Sequence, residues 1–377
     1  MITWETPIDD IQSLDWQSLD GEELLKTLEI VCVKKGISDI HISPEREDVR
    51  LEVRLHNVLI EIARTKHDEY IKLVRRVKFQ AKMKLNVTNI PQDGQYIFEA
   101  PERLVNVRIA SIPSKFGETY TLRLLDPKKG IVELHDLGFP ELISNTLKEI
   151  TQLHHGLILV TGPTGSGKTT TLYSLLNTLV GKERNIITIE DPIEYELKGI
   201  VQSEVDNDHG YNFASGLRSI LRHDPDVILV GEIRDEETAN TAVNAALTGH
   251  LVLSTLHTNS AIEAINRLLS MGVHPQTLAP ALQCILSQRL VRTISDECKK
   301  EGAKCDPADH NTYCGVTALS ELLVVTNTLK EKIVENASSK ELEETAFKEG
   351  YMNIEEWGAK LIKDGITNKT EIKRIAS

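Results

Sequence analysis

At 377 residues the chain is long enough for two or more domains with cores of their own, and 40% hydrophobic against 26% charged residues is the balance of a globular protein. A formal net charge of −13 argues against a surface built to coat nucleic acid, and no direct nucleic-acid partner is expected. No apolar run approaches the roughly 18 residues of a membrane span, so any membrane role is expected to come through a partner.

The segment Met1 to Glu23 is acidic and has no Lys or Arg, which fits neither a signal peptide nor a transit peptide. The five cysteines, Cys32, Cys284, Cys298, Cys305 and Cys314, are sparse and odd in number, as suits a reducing cytoplasm. From Gly21 to Lys35 the spacing predicts a helix with Leu24, Leu25, Leu28, Ile30 and Val31 on its apolar side. Val49, Leu51, Val53 and Leu55 alternate with polar residues, a half-buried strand, and His56-Asn57 is a plausible hairpin turn into Val58-Leu59-Ile60. A helix is expected over about 68–85. Pro91-Gln92-Asp93-Gly94 then reads as turn chemistry, before strands near Tyr96–Glu99, Leu104–Ala110 and Thr119–Leu125. The polar segment Asp126-Pro127-Lys128-Lys129-Gly130 marks a domain boundary.

Beyond it the pattern changes. Short apolar runs, Leu157–Val160, Ile186–Ile189, Val227–Val230 and Leu251–Leu253, alternate with helical stretches, the sign of a parallel α/β sheet. Each run gives way at once to polar residues, and in open parallel sheets ligands bind at the carboxyl ends of the strands. After the first run comes Gly162-Pro163-Thr164-Gly165-Ser166-Gly167-Lys168-Thr169, with Thr170 next, a match to G-x-x-x-x-G-K-[ST]. Leu172, Leu175, Leu176 and Leu179 then recur along one helical face. Strand, glycine loop and helix N-terminus aim backbone N–H groups and the helix dipole at phosphate oxygens. Lys168 would reach the terminal phosphates of ATP, and Thr169 would hold Mg²⁺.

Phosphoryl transfer to water also needs a group that positions the water and positive charge for the transition state. Glu232 follows Val227–Val230, where Gly231 replaces the usual aspartate, and is expected to polarise the water or hold Mg²⁺ through one. Glu190, Asp191 and Glu194 are further carboxylates. Adjacent side chains on a strand point oppositely, so Glu190 is placed near the water and Asp191 is left as metal ligand or support. His250 and His257 flank one strand. His257, in the polar run Ser254–Asn259, is read as a γ-phosphate sensor, and His250 is as readily a structural histidine. Arg218 and Arg222 share a helical face, Arg234 follows Glu232 by two, and Arg108 and Arg123 sit on consecutive strands. An arginine finger is worth roughly 10³–10⁵ in rate, so a mobile domain carrying such charges could couple its position to hydrolysis.

Together these motifs resemble the type II secretion and type IV pilus assembly ATPase family, over about residues 36–376. Ser38-Asp39-Ile40-His41-Ile42, Pro91–Gly94 and Arg108 to Arg123 match its mobile N-terminal domain. Its Walker A, Asp box, Walker B and His box appear as Gly162–Thr169, Ile189–Glu194, Val227–Glu232 and Thr248–Asn259. Leu217–Asp226 and Gly231-Glu232-Ile233-Arg234-Asp235 are the most diagnostic stretches. Gly365-Ile366-Thr367 and Glu371–Arg374 resemble the assembly branch.

The resemblance implies a RecA-like P-loop core with a smaller α+β, PAS-like N-terminal domain and a helical C-terminal segment. The division expected is a lead-in over 1–20, a mobile domain over 21–128, a linker over 129–135, the core over 136–295, and a degenerate metal loop with helices over 296–377. It implies a homo-hexamer whose sites close between the domains, with Arg108 and Arg123 as phosphate sensors. The motor would be cytoplasmic, peripheral at the inner membrane, driving pilus or pseudopilus assembly, or DNA uptake, through a platform protein. A nucleotide-gated scaffold and a type IV secretion or conjugation ATPase are the alternatives. Two departures stand out. The long membrane-docking N-terminal domain has no counterpart, and the paired Cys-x-x-Cys element is absent. Cys298, Cys305, Cys314 and His310 fit no standard zinc spacing, so zinc is not expected.

Overall fold

The computed structural model describes residues 2–3, 9–55, 58–101, 103–126, 132–301 and 312–376. The chain divides into two compact units, one of residues 3–130 and 308–315, the other of residues 1–2, 131–307 and 316–377.

In the smaller unit the helix Gly21–Lys35 begins in a capping box between Asp20 and Glu23 and stops at left-handed Gly36. Leu24, Leu25, Leu28, Cys32 and Val33 fill its buried face, while Ile30 and Val31 only border the core. Glu29 also lies on that face. Burial raises its pKa to about 7 despite the hydrogen bond from the Tyr96 hydroxyl. The sheet beneath is antiparallel, built from β2 (Asp39–Pro44), β3 (Val49–Leu55), β4 (Val58–Thr65), β5 (Gln92–Ala100), β6 (Arg103–Ser114) and β7 (Gly117–Leu125) in the order β4-β3-β2-β7-β6-β5. The expected turn at His56-Asn57 and residues 127–130 of the expected boundary lie outside the described residues.

Two expectations need correction. The second helix spans His67–Gln80 and stops well short of Leu85. Lys82 turns left-handed, at φ 55°, and Met83 N–H closes on the Lys78 carbonyl at 2.9 Å, an ending made without the usual glycine. Gln92-Asp93-Gly94 is strand rather than turn. Gly94 is needed there for close approach, since a Cβ would lie 2.8–2.9 Å from Met83 and Ala81. The Gln92 side chain holds Lys84 and Val87 beside it.

The larger unit is three-layered. Its eight-stranded sheet runs β1-β14-β13-β8-β12-β11-β9-β10, with β1 Ile2–Thr3, β8 Gly156–Thr161, β9 Ile186–Glu190, β10 Val201–Glu204, β11 Val227–Val230, β12 Leu251–Leu256, β13 Leu282–Ile294 and β14 Tyr313–Val324. Strands β13, β8, β12, β11, β9 and β10 pair in parallel. Side chains alternate between two cores: Leu157, Ile187, Ile228 and Val252 face the helices Phe213–Ile220, Glu236–Leu247 and Ala261–Ser270. Ile158, Ile186, Val227 and Leu251 face Glu141–Ile150, Lys168–Asn177 and Ile354–Lys363. Burial on both faces makes these strands read as continuous apolar runs. Strands β13 and β14 have no counterpart among the expected elements. Both carry polar residues, such as Gln288, Arg292 and Glu321, that are buried with partners.

The C-terminal helix Lys369–Ala376 is clipped to β13 through Glu371, whose side chain is fully buried. The Arg292 backbone N–H and the Arg292 and Arg374 guanidinium groups all donate to it at 2.6–3.0 Å. Burial alone would raise this carboxyl, yet the arginine hydrogen bonds hold it down at about 2. A depressed folded-state pKa gives stability that is present above the unfolded value of about 4.5 and lost as pH falls toward 2. Glu371→Gln should therefore lower the urea midpoint at pH 7, by about 3 kcal/mol of stability. The gap to wild type should narrow as urea titrations are repeated from pH 4.5 down to pH 2.5. A gap independent of pH would mean that packing, not charge, holds the clip.

Candidate nucleotide site

Strands β8, β12, β11 and β9 lie side by side and point the same way. Their carboxyl ends deliver Gly162, His257, Gly231-Glu232 and Glu190-Asp191 to one edge of the sheet. Strand β12 runs three residues further than the sequence suggested, because it stays paired with β8 as far as Leu256 opposite Thr161, and the Ser254 and Thr255 hydroxyls donate to the Val230 and Gly231 carbonyls at 2.7 and 2.8 Å. That extension puts His257 at the strand tip.

Between β8 and the helix Lys168–Asn177, Gly162 and Gly167 adopt φ 144° and 87°. The Lys168 ammonium donates to the Gly162 and Pro163 carbonyls at 2.9 and 3.0 Å, closing the loop on itself. Burial lowers its pKa, Arg289 adds to the effect, and Glu232 opposes it. Thr169 and Thr170 open the helix, and Pro163, Thr164 and Gly165 are exposed at the loop tip. The Ser166 hydroxyl is buried with no partner among the described residues. A positive helix end, a lysine and an unsatisfied hydroxyl fit a polyphosphate, and Thr169 offers a hydroxyl for Mg²⁺.

Glu232 and Arg234 form an ion pair at 2.5 Å, and His257 Nε2 lies 3.7 Å from the other Glu232 oxygen. Burial first, then Lys168 and Arg234, lower the His257 pKa, so its imidazole is neutral at neutral pH. Lys168, Glu232, Arg234 and His257 thus stand within one another's fields.

Other expected residues fall elsewhere. Glu190 is buried, and its carboxylate accepts from the Tyr173 and Thr188 hydroxyls and the Gln202 amide. With its oxygens so engaged it braces the sheet against the loop helix. Asp191 is the exposed one, lining with Arg234 and Asn212 a cavity of about 470 Å³. Glu194 follows in the same loop, its backbone against the Tyr173 hydroxyl. His250 lies at the amino end of β12, where its carbonyl meets Gly156 N–H and its Nδ1 the Ala245 carbonyl. It is a strand away from the loop. Arg218 pairs with Glu237, and Arg222 folds back on the Arg218 carbonyl and Ser219. Neither joins the Glu232 cluster through these contacts.

In the smaller unit Arg108 and Arg123 are directly opposed across β6 and β7, on the face away from Val107 and Leu122. The row continues through Asp39 to Arg54, and Arg123 Nε donates to Asp39 at 2.9 Å.

Sequence reasoning passed over Gln288 and Arg289 on β13. Arg289 donates to the carbonyl and side chain of Asn259, two residues beyond His257. Gln288 touches the phosphate loop itself. Of the four candidate zinc ligands, Cys305 and His310 lie outside the described residues, and Cys298 is disulfide-bonded. No group of three potential metal ligands occurs among the described residues, and no described helix is long and apolar enough to cross a membrane.

A family model described as "Type II/IV secretion system protein" matches residues 21–374. The "Type II secretion system ATPase E" of Vibrio cholerae is 39% identical, over 95% of this chain and 76% of its own. The "Type II secretion system protein E" of Pseudomonas aeruginosa is 41% identical, over 91% and 73%. Among solved structures, the pilus retraction motor PilT with bound ADP superposes with a TM-score of 0.67 at 31% identity, covering 96% of this chain and 97% of that one. The Legionella pneumophila ATPase DotB shares the fold, with a TM-score of 0.70 at 23% identity, covering 94% of each chain.

Proposed function

This chain belongs to the Type II/IV secretion system protein family, as an ATPase of the secretion-motor type, and on that premise we propose that it hydrolyses Mg-ATP as a homo-hexamer. The work is done on an inner-membrane platform protein to assemble a pilus or pseudopilus, from the cytoplasmic side and without direct contact with nucleic acid. The observation that carries this reading is the meeting of Lys168, Glu232 and His257 at one sheet edge.

The loop amides and Lys168 bind the phosphates, and Thr169 would hold Mg²⁺, which would supply neutralising charge to the phosphate oxygens. Glu232, aimed by Arg234, orients the attacking water and takes its proton. Neutral His257 donates a hydrogen bond to the oxygens that gain charge. Arg108 and Arg123 supply mobile positive charge. The test is phosphate release by the full chain with Mg-ATP. Lys168→Ala should abolish it to background. A Lys168→Ala rate equal to wild type would remove this site as the source of turnover.

A further inference from the structure

Gln288 is 2% exposed, and its side chain spans the glycine loop from below. Its Nε2 donates to the Ser166 carbonyl at 2.7 Å, and its Oε1 accepts from the Thr171 hydroxyl at 2.8 Å. One carboxamide therefore ties the middle of the loop to the first turn of the helix behind it. The same residue also fits the two glycines. A Cβ on Gly162 would lie 2.3 Å from the Gln288 carbonyl oxygen, and one on Gly167 would lie 2.8 Å from its Nε2. The loop backbone is pressed onto this residue at its entry and at its exit.

Strand β13 holds Gln288 firmly in turn. Cys284 to Ser287 run beside Ile158 to Thr161 of β8 in continuous parallel register. Four residues on, Arg292 is locked to Glu371. Arg289, the next residue, reaches Asn259 in the turn that carries His257. Side chains on adjacent strand positions point to opposite faces, so β13 supports the phosphate loop with one residue and the histidine turn with the next.

We propose, on the reading of this site as nucleotide-binding, that Gln288 is a positioning residue that holds the phosphate loop in its binding shape. A glycine-rich loop has the most conformational freedom to lose when phosphate orders it. A carboxamide that orders the loop beforehand removes that cost from binding, which is preorganisation. Gln288 touches no reacting atom, so its removal weakens affinity more than it slows the bound step.

The test compares the full wild-type chain with Gln288→Met, which keeps the volume and removes both bonds, and with Thr171→Val, which removes one. Hydrogen exchange of the amides at 162–170 is read without nucleotide, and affinity is read with a fluorescent methylanthraniloyl ADP plus Mg²⁺. In Gln288→Met the loop amides should exchange roughly 10–100-fold faster while those of β12 keep their rates, the size expected for unmade buried hydrogen bonds. ADP affinity should fall by about 10-fold or more, and kcat by less than the rise in KM. Thr171→Val should give a smaller shift of the same kind and add nothing to Gln288→Met. Loop exchange at the wild-type rate in both variants overturns the proposal, and Thr171→Val decides alone if Gln288→Met does not fold. If wild type itself fails to bind ADP, the nucleotide reading falls, and the exchange data still decide whether Gln288 orders the loop.

Discussion

Glu232→Gln should cut steady-state phosphate release by about 10²–10⁴-fold while nucleotide affinity stays within about threefold of wild type. Glutamine keeps the shape and still accepts from Arg234, so the tip of β11 and the Glu232–Arg234 contact survive. It loses the negative charge and the capacity to take a proton. The geometry concentrates that capacity here. Glu190, the rival on the next strand, spends its oxygens on Tyr173, Thr188 and Gln202. The His257 imidazole is either neutral or positive, so it cannot replace the negative charge removed. Single-turnover release with a filtration assay for bound ATP separates the two quantities. A variant that binds normally but releases phosphate at the wild-type rate would move the water-positioning role away from Glu232. Loss of binding would make Glu232 a metal-holding or structural group.

The parallel strands of the larger unit were legible because each is buried on both faces, and an uninterrupted Val-Ile-Leu-Val run has few other uses. Strand direction followed from the glycine loop, which has to leave a carboxyl end. The same logic puts His250 at the other end of its strand from the loop, since a residue before a strand in a parallel sheet lies at the far edge. Glu190 is a different matter. Alternation says only that Glu190 and Asp191 point apart, and the donors that claim Glu190 come from residues 12 and 17 positions away in the chain. Gln288 is further from legibility still, joined to the loop across 122 and 117 residues. Gly94 carried a turn-like signal for an unrelated reason, the lack of room for a Cβ against Ala81 and Met83. Local pattern reports periodicity and turn chemistry, and it does not report which distant group fills a hydrogen-bond position.

Arg108→Ala and Arg123→Ala should each lower turnover by about 10³-fold or more, within the roughly 10³–10⁵ expected of arginine fingers, and leave ADP affinity nearly intact. That loss corresponds to about 4–7 kcal/mol of barrier. The antiparallel pairing sets these residues directly opposite each other. Like charges in that arrangement destabilise a sheet, and Asp39 bonds Arg123, a partial compensation. Arg108→Ala should therefore change the thermal midpoint of the chain only slightly. The size of that shift is the control. A finger lost with stability unharmed gives low turnover on a sound fold, whereas a structural arginine gives a lowered midpoint and weakened nucleotide binding together. Lysine extends the contrast, because Arg123→Lys preserves charge but loses the planar fork that can meet two phosphate oxygens while holding Asp39. Arg123→Lys should therefore remain at least about tenfold slow. Full recovery with lysine would mean that net charge alone is needed there, and that Asp39 does not aim the guanidinium.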